Sequence, residues 1–302
     1  MVAFGMALGS ALITGASGIL GSHLVKSRPY NWGVSPWGLS HGDENILVRH
    51  DLMEPAETYR AIKETRANLI IHCAGNGLVD FSQKEPEKAR QINLQATINV
   101  MAAATELKAH FVYISSNAVY SGENPPYAEE SDKNPINEYG RIKLEAERVV
   151  AEYQHKKTII RPIFLYGRVP EGSRTHMDTR VINTLTKGER LDVAYDIITQ
   201  PTYAEDCAKA IWDIVKNQYS NSLTVNIGGP ETISLYGFAL KVAEVFGLDR
   251  NLITPRPSSF FKGTYAPRPF NTTFDLTRLN SLVGPLRGVE EGLKAMKETY
   301  AT

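Results

Sequence analysis

Tyr139-Gly-Arg-Ile-Lys143 sets a phenol and an ammonium four residues apart. On a helix, residues at that spacing share one face, about 5–6 Å apart. A neighbouring cation favours the phenolate, so the spacing predicts that Lys143 lowers the pKa of Tyr139 and makes it a proton donor or acceptor near neutral pH. By itself the pattern more often marks a solvated helix face. Ser115-Ser116 changes its weight. It stands twenty-three to twenty-four residues upstream, closing the apolar run 111–114. A hydroxyl at a strand end can bind the carbonyl that the tyrosine protonates.

The stretch 10–21 supplies the third part. Ala11, Leu12, Ile13 and Thr14 read as a strand buried on both faces. Gly15, Gly18 and Gly21 follow at spacings of three, and Ile19, Leu20, Leu24 and Val25 then recur at helical spacing. Strand, glycine turn and helix start form a diphosphate site: Gly15 permits the turn, Gly18 lets backbone approach phosphate, and Gly21 lets the helix pack on the strand. The helix N-terminus adds free N–H groups and a positive dipole end. The contacts expected there are Gly15, Ser17, Gly18, Ile19 and Leu20. Three glycines alone would also suit an ordinary strand-to-helix turn.

These groups need a scaffold, and the chain can build one. Its 302 residues, 42% hydrophobic and 22% charged, describe an ordinary globular protein able to bury a core without disulfides or metals. Thirty-three basic residues balance thirty-three acidic ones, so no overall field favours nucleic acid or an anionic membrane. Cys73 and Cys207 read as reduced residues of a cytoplasmic protein. The seven histidines are scattered and make no metal-binding pattern. The uncharged run 2–20 lacks the basic flank of a signal peptide, and its second half is the phosphate loop.

Strands are expected at 30–35, 46–49, 68–73, 111–115, 158–161 and 223–227. Helices are expected at 57–65, 86–107, 138–154, 203–216, 231–246 and 289–300, and 251–270 reads as proline-rich loop. Strands alternating with helices predict an α/β fold, a Rossmann-like doubly wound parallel sheet with a smaller C-terminal substrate-binding lobe. Residues 1–168 would form the dinucleotide-binding domain, 197–229 would rejoin its sheet, and 169–196 with 230–302 would form the lobe. Gly15–Gly21, Asp51, Ala74-Gly75, Ser115-Ser116 and Pro162 all fall at carboxyl ends of strands, where such sheets bind ligands.

With these parts in order, the chain resembles the extended short-chain dehydrogenase/reductases along nearly its whole length. Tyr113-Ile-Ser-Ser-Asn-Ala-Val-Tyr-Ser-Gly122 is similar to their fifth-strand motif, and matching its Val119-Tyr120 pair puts the catalytic hydroxyl on Ser116, with Ser115 in support. Arg161-Pro-Ile-Phe-Leu-Tyr-Gly167 is similar to a segment whose proline region, here Pro162 and Ile163, contacts the nicotinamide. Asp51-Leu52 resembles the adenine-contacting pair, Ala74-Gly75 the backbone under the cofactor, and Asn93 the family's helix-four asparagine. Gln200-Pro-Thr-Tyr-Ala-Glu-Asp206 and Ala266-Pro-Arg-Pro-Phe-Asn-Thr272 resemble the dTDP-4-dehydrorhamnose reductase branch. Where that branch carries Thr-Asp, this chain has Ser116-Asn117.

The resemblance implies an NAD(P)-dependent oxidoreductase that reduces a 4-keto-6-deoxy sugar nucleotide. Tyr139 would donate the proton, Ser116 would orient the carbonyl oxygen, and Lys143 would hold the cofactor's ribose. Asn117 would meet the sugar and Arg268 the substrate diphosphate. The segment Val34-Ser-Pro-Trp-Gly38 has no carboxylate to hold a ribose diol, and Ser35 could donate to a 2′-phosphate; that favours NADP over NAD. Partners would be the nucleotide sugar and a second copy in a homodimer. The same family holds sugar-nucleotide 4-epimerases and dehydratases. It also covers the non-catalytic regulatory subunit of methionine adenosyltransferase.

Overall fold

Apolar residues at successive positions of one strand need partners on two sides, and that requirement builds the molecule. In the computed structural model, which describes residues 9–38, 48–217 and 222–300, six parallel strands form one sheet. They are β1 (Gly9–Thr14), β2 (Trp32–Trp37), β3 (Leu69–His72), β4 (His110–Ile114), β5 (Lys157–Pro162) and β6 (Ser222–Ile227). Their spatial order is β6-β5-β4-β3-β1-β2. Ala11 and Ile13 face one layer with Ile71, Val112, Ile160 and Trp212. Leu12, between them, faces the other with Ile70, Phe111, Ile62 and Val150. The strict alternation of faces is why no polar residue interrupts β1 between Ala11 and Ile13.

Two outer layers cover the sheet, built chiefly from α1 (Ile19–Lys26), α2 (Pro55–Thr65), α3 (residues 86–107), α4 (Glu138–Ala151) and, later in the chain, α6 (Ala204–Asn217); α5 (Met177–Thr186), α7 (Leu235–Phe246) and α8 (Val289–Glu298) pack with one another apart from it. The chain leaves β1 for β2 on one side and then crosses to β3 on the other. The order therefore reverses between β1 and β3, which opens a crevice beyond their carboxyl ends. A separate apolar cluster, including Tyr166, Val181, Phe238, Leu293 and Met296, joins α5, α7 and α8.

Some expectations shift. The second strand runs to Trp37, so Ser35 lies opposite Leu12 within it and does not close it. The strand expected at 46–49 falls largely on 39–47, outside the described residues; Val48 makes an isolated parallel bridge to Trp37. The helix at 86–107 carries a π-turn at Gln91–Gln95. Inside the expected loop 251–270, Ile253–Arg256 is a short strand beside Leu191–Ala194; Pro255 is tolerated there because a two-stranded ribbon consists of edges. The helix expected from 231 starts at Leu235, capped by the Ser234 hydroxyl, which accepts from the Gly237 N–H at 3.0 Å. Leu279, on the short helix Thr277–Val283, packs with the sheet cluster rather than with the lobe.

Candidate functional site

The loop between β1 and α1 is fixed by contacts that exclude side chains. Gly15 has φ +69°, and a Cβ there would stand 2.6 Å from the Ala74 nitrogen. At Gly21 a Cβ would fall 2.2 Å from the Gly15 carbonyl oxygen. The helix thus closes on the loop itself, where the spacing pointed to the strand. Gly18 is the N-cap of α1 and no side chain caps that end. Its first-turn N–H groups, Ile19 and Leu20 among them, suit an anion. The Ile19 and Leu20 side chains are buried, so only their backbone is available to a ligand. The Ser17 carbonyl accepts from the Ser173 hydroxyl at 2.9 Å, which ties the loop after Gly167 to the phosphate loop.

Next to this cradle, Ala74 N–H donates to the Thr14 hydroxyl, and Gly75 abuts the Asn93 side chain. Asn93 accepts from the Asn76 N–H at 2.7 Å and donates to the Asn76 carbonyl at 3.2 Å. Its amide is spent on shaping the segment 74–77, so it acts behind the surface expected to meet cofactor. The π-turn that contains it is where α3 swells to reach that segment. Asp51 is exposed in the turn before α2 and accepts from the Met53 N–H; the Leu52 carbonyl accepts from Asn99. Pro162 ends β5, while the Ile163 side chain is buried with Val119, Tyr120, Tyr127 and Phe274.

The catalytic candidates meet where β4 ends against α4. Asn137 caps α4 by accepting from the Gly140 N–H at 2.9 Å, and donates to the Pro267 carbonyl at 3.0 Å. Gly140 lets the helix press on the turn Asn117–Val119, since a Cβ there would lie 2.1 Å from the Ala118 carbonyl oxygen. This contact brings the Tyr139 phenol into the neighbourhood of the Ser116 hydroxyl. Burial raises the Tyr139 phenol above its ordinary pKa; the Ser116 hydroxyl and the Arg174 charge pull it back. The Ser116 hydroxyl accepts from the Ala118 N–H and donates to Asn117 Oδ1.

Lys143 departs from one expectation, that it stands at the Tyr139 phenol and lowers its pKa. Its ammonium donates to the Ile114 carbonyl at 2.8 Å, 4.9 Å from the Tyr113 ring centre and 6.0 Å from that of Tyr139. A helical turn aligns the two side chains, but the free carbonyl at the end of β4 draws the ammonium away from the phenol. Burial lowers the Lys143 pKa to about 8, against the opposing pull of Glu147. The cation beside Tyr139 is Arg174, on the loop between Gly167 and α5, and no helical or strand periodicity in the sequence singles it out.

One turn beyond Lys143, Glu147 completes a row at 139, 143 and 147. It accepts from Ser115 Oγ at 2.5 Å and from both Arg161 Nε and Nη2. Ser115 therefore faces the support layer. The repeated spacing of four is the signal in the sequence that points to Glu147. Of the substrate candidates, Asn117 Nδ2 donates to Thr272 Oγ1 at 2.6 Å, joining the β4 end to the segment 266–272. Arg268 pairs with Asp80 at 2.9 Å and donates to the Ala266 carbonyl, so its guanidinium is already engaged. Among the described residues no group of side chains could hold a metal ion, and no helix is long and apolar enough to cross a membrane.

Comparison with known proteins agrees with this architecture. The family model described as RmlD substrate binding domain matches residues 9–302. The chain is 31% identical over 294 residues to methionine adenosyltransferase 2 subunit beta of Bos taurus, a match covering 93% of this chain and 86% of that protein. A dTDP-4-dehydrorhamnose reductase from Clostridium acetobutylicum is similar in structure with a TM-score of 0.84 at 26% identity, over 97% of this chain and 100% of that one. The dTDP-4-dehydrorhamnose reductase of Bacillus anthracis, solved in complex with NADP, gives 0.82 at 27% identity, over 96% and 99%.

Proposed function

The chain belongs to the RmlD substrate binding domain family, and from that premise we propose that it is an NADP-dependent reductase of a 4-keto-6-deoxy sugar nucleotide. The observation that carries the reading is the meeting of Tyr139 and Ser116 at the carboxyl end of β4, where the Ser116 hydroxyl acts to lower the pKa of the phenol, with Lys143 one turn along. A buried lysine or a lone tyrosine has many uses. A phenol beside a strand-end hydroxyl is suited to protonating a carbonyl.

The nicotinamide cofactor supplies a hydride when bound. Tyr139 gives its phenolic proton to the carbonyl oxygen of the substrate, and Ser116 orients that oxygen. Lys143 holds the ribose hydroxyls. The backbone of Gly15, Ser17, Gly18, Ile19 and Leu20 receives the cofactor's diphosphate; Asp51 and Leu52 border the adenine, Ala74 and Gly75 underlie the cofactor, and Pro162 with the Ile163 backbone meets the nicotinamide. The preference for NADP rests on the end of β2, Trp37-Gly38, which offers no carboxylate to repel a 2′-phosphate. Ser35 lies two residues short of that end. Asn117 meets the sugar while tied to Thr272.

The test is consumption of NADPH and NADH by the purified protein with a panel of 4-keto-6-deoxy sugar nucleotides. Stoichiometric oxidation with one of them supports the reading and identifies the nucleotide. Tight cofactor binding with no oxidation across the panel overturns it. A second reading, a regulatory subunit of a methionine adenosyltransferase, is favoured by one observation: the bovine subunit beta matches along nearly the whole chain. Stable co-purification with a methionine adenosyltransferase catalytic subunit would support it.

A further inference from the structure

Tyr139 must carry a negative charge once its proton has left, and something must offset that charge. Lys143 is directed to the Ile114 carbonyl. From β4 and the residues after it, the Ser116 hydroxyl lies near the phenol and Tyr113 adds a second, uncharged phenol. From the segment after β3 come Cys73, a thiol held neutral by burial, and the backbone of Gly77. Glu147, on the helix of Tyr139 itself, is spent on Arg161 and Ser115. Arg268 is paired with Asp80.

Arg174 remains. A Cβ placed on Gly77 would stand 3.0 Å from Arg174 Nη1 and 3.9 Å from Tyr139 Oη, so guanidinium and phenol flank one point above that glycine. Among the described residues no carboxylate pairs with Arg174; the charged or ionisable groups acting on it are Tyr139 and Arg268. Its neighbour His176 is kept neutral, first by burial and then by Arg174 itself. The loop is held from both ends of the site: Ser173 donates to the Ser17 carbonyl, and the Arg168 carbonyl bonds His23. An exposed arginine with no anionic partner is thus carried to the reacting phenol by a segment fastened to the phosphate loop.

We propose that Arg174 is a further catalytic residue: its guanidinium stands beside the phenolic oxygen of Tyr139 and offsets the charge left there when the proton passes to substrate. The proposal rests on the reductase reading for its chemistry. The carbonyl carbon gains a hydride from the reduced nicotinamide, its oxygen gains the Tyr139 proton, and the phenolate recovers a proton from solvent. Arg174 exchanges no atoms; it lowers the energy of the state in which the phenolate exists.

The test needs no turnover. The whole chain is labelled with 3-fluorotyrosine, which brings phenol ionisation into a milder pH range, and the Tyr139 resonance is assigned in the 19F NMR spectrum by its loss in Tyr139→Phe. In Arg174→Ala the titration midpoint of that resonance is expected to rise by about one pH unit, as for an ionisable group losing a nearby opposite charge. Arg174→Lys is expected to keep most of the original midpoint. An unchanged midpoint in Arg174→Ala overturns the proposal. Because the readout is made without substrate, it can fail while NADPH oxidation succeeds, or hold while that oxidation is absent.

Discussion

Arg161 and Glu147 form a two-pronged ion pair beneath the catalytic residues, Nε to Oε1 at 2.8 Å and Nη2 to Oε2 at 2.7 Å, with side chains 3% and 5% exposed. Arg161 also donates to the Tyr120 hydroxyl and the Glu129 carbonyl, while Ser115 donates to Glu147. Every arm of both groups is therefore occupied, the condition under which charges can be kept out of water. The pair clamps β5 to α4, and α4 carries Tyr139 and Lys143.

Removing one member leaves the other charged and buried. Glu147→Ala should cost about 3–5 kcal/mol of folding stability. Glu147→Leu combined with Arg161→Met should recover a large part of that loss, because no uncompensated charge remains. Urea unfolding of the two variants checks this. A double variant no more stable than Glu147→Ala would show that the pair contributes through its hydrogen bonds rather than its charge balance.

Tyr139→Phe removes one hydroxyl and little volume. Under the proposed function kcat should fall by about 10²–10⁴-fold, the usual worth of a positioned general acid. The cofactor dissociation constant, read by NADPH fluorescence, should stay within a few-fold, since the diphosphate cradle lies in the β1–α1 loop. A variant retaining most of its rate would exclude Tyr139 as the proton donor.

Two glycines should respond in opposite ways to one added methyl group. Gly21→Ala forces a Cβ onto the Gly15 carbonyl and should destabilise by about 1–3 kcal/mol, weakening cofactor binding as the loop shifts. Gly33, in β2, has only the Gly9 carbonyl oxygen within reach, at 3.9 Å. Gly33→Ala should be neutral or stabilising by about 0.5–1 kcal/mol, because alanine loses less freedom in a strand. Thermal unfolding with and without NADPH separates the two.

These residues also show what the sequence could and could not tell. The sheet was legible because Ala11–Ile13 and Leu69–Ile71 read as apolar without a break, which only a strand covered on both faces explains. Tyr139 and Ser116 were legible because each belongs to a local pattern on one element. Arg174 was not, since its role comes from a loop folding back over Gly77, a contact that leaves no periodicity. Ser35 lies inside its strand and not at the end because strand ends are set by pairing: β2 follows β1 as far as Thr14, which carries it to Trp37. The pairing of Lys143 with Tyr139 differs from expectation for a related reason. Helical spacing gives the face but not the acceptor, and the Ile114 carbonyl competes successfully for the ammonium.

The cofactor cradle should be sensitive to acid through His72. Its Nδ1 lies 2.7 Å from Thr14 Oγ1 and its Nε2 lies 3.1 Å from Thr97 Oγ1. Thr97 gives its own proton to the Asn93 carbonyl at 2.6 Å, which assigns the histidine proton to Nε2 and makes Nδ1 an acceptor. The neutral ring is thus satisfied on both sides, next to the threonine that receives the Ala74 N–H. Burial, followed by the Lys143 charge, lowers the His72 pKa to about 3. His110, bonded to Thr158, is lowered to about 4 by burial and then by Lys156. The unfolded chain takes up these protons near pH 6.5 and the folded chain does not. Stability therefore falls as pH drops below about 6.5, by about 1.4 kcal/mol per unit for each histidine, down to its folded pKa. Asp178 works against this. Burial raises its carboxyl to about 6, so from about pH 6 down to its ordinary value the folded chain holds a proton that the unfolded chain has released, and it offsets about one histidine. His72→Asn, which keeps one donor and one acceptor without a titrating ring, should flatten the pH dependence of unfolding free energy between pH 6 and 4 by about one proton. Urea melts across that range measure the slope directly. An identical slope in wild type and His72→Asn would mean that the cradle is not where acid acts.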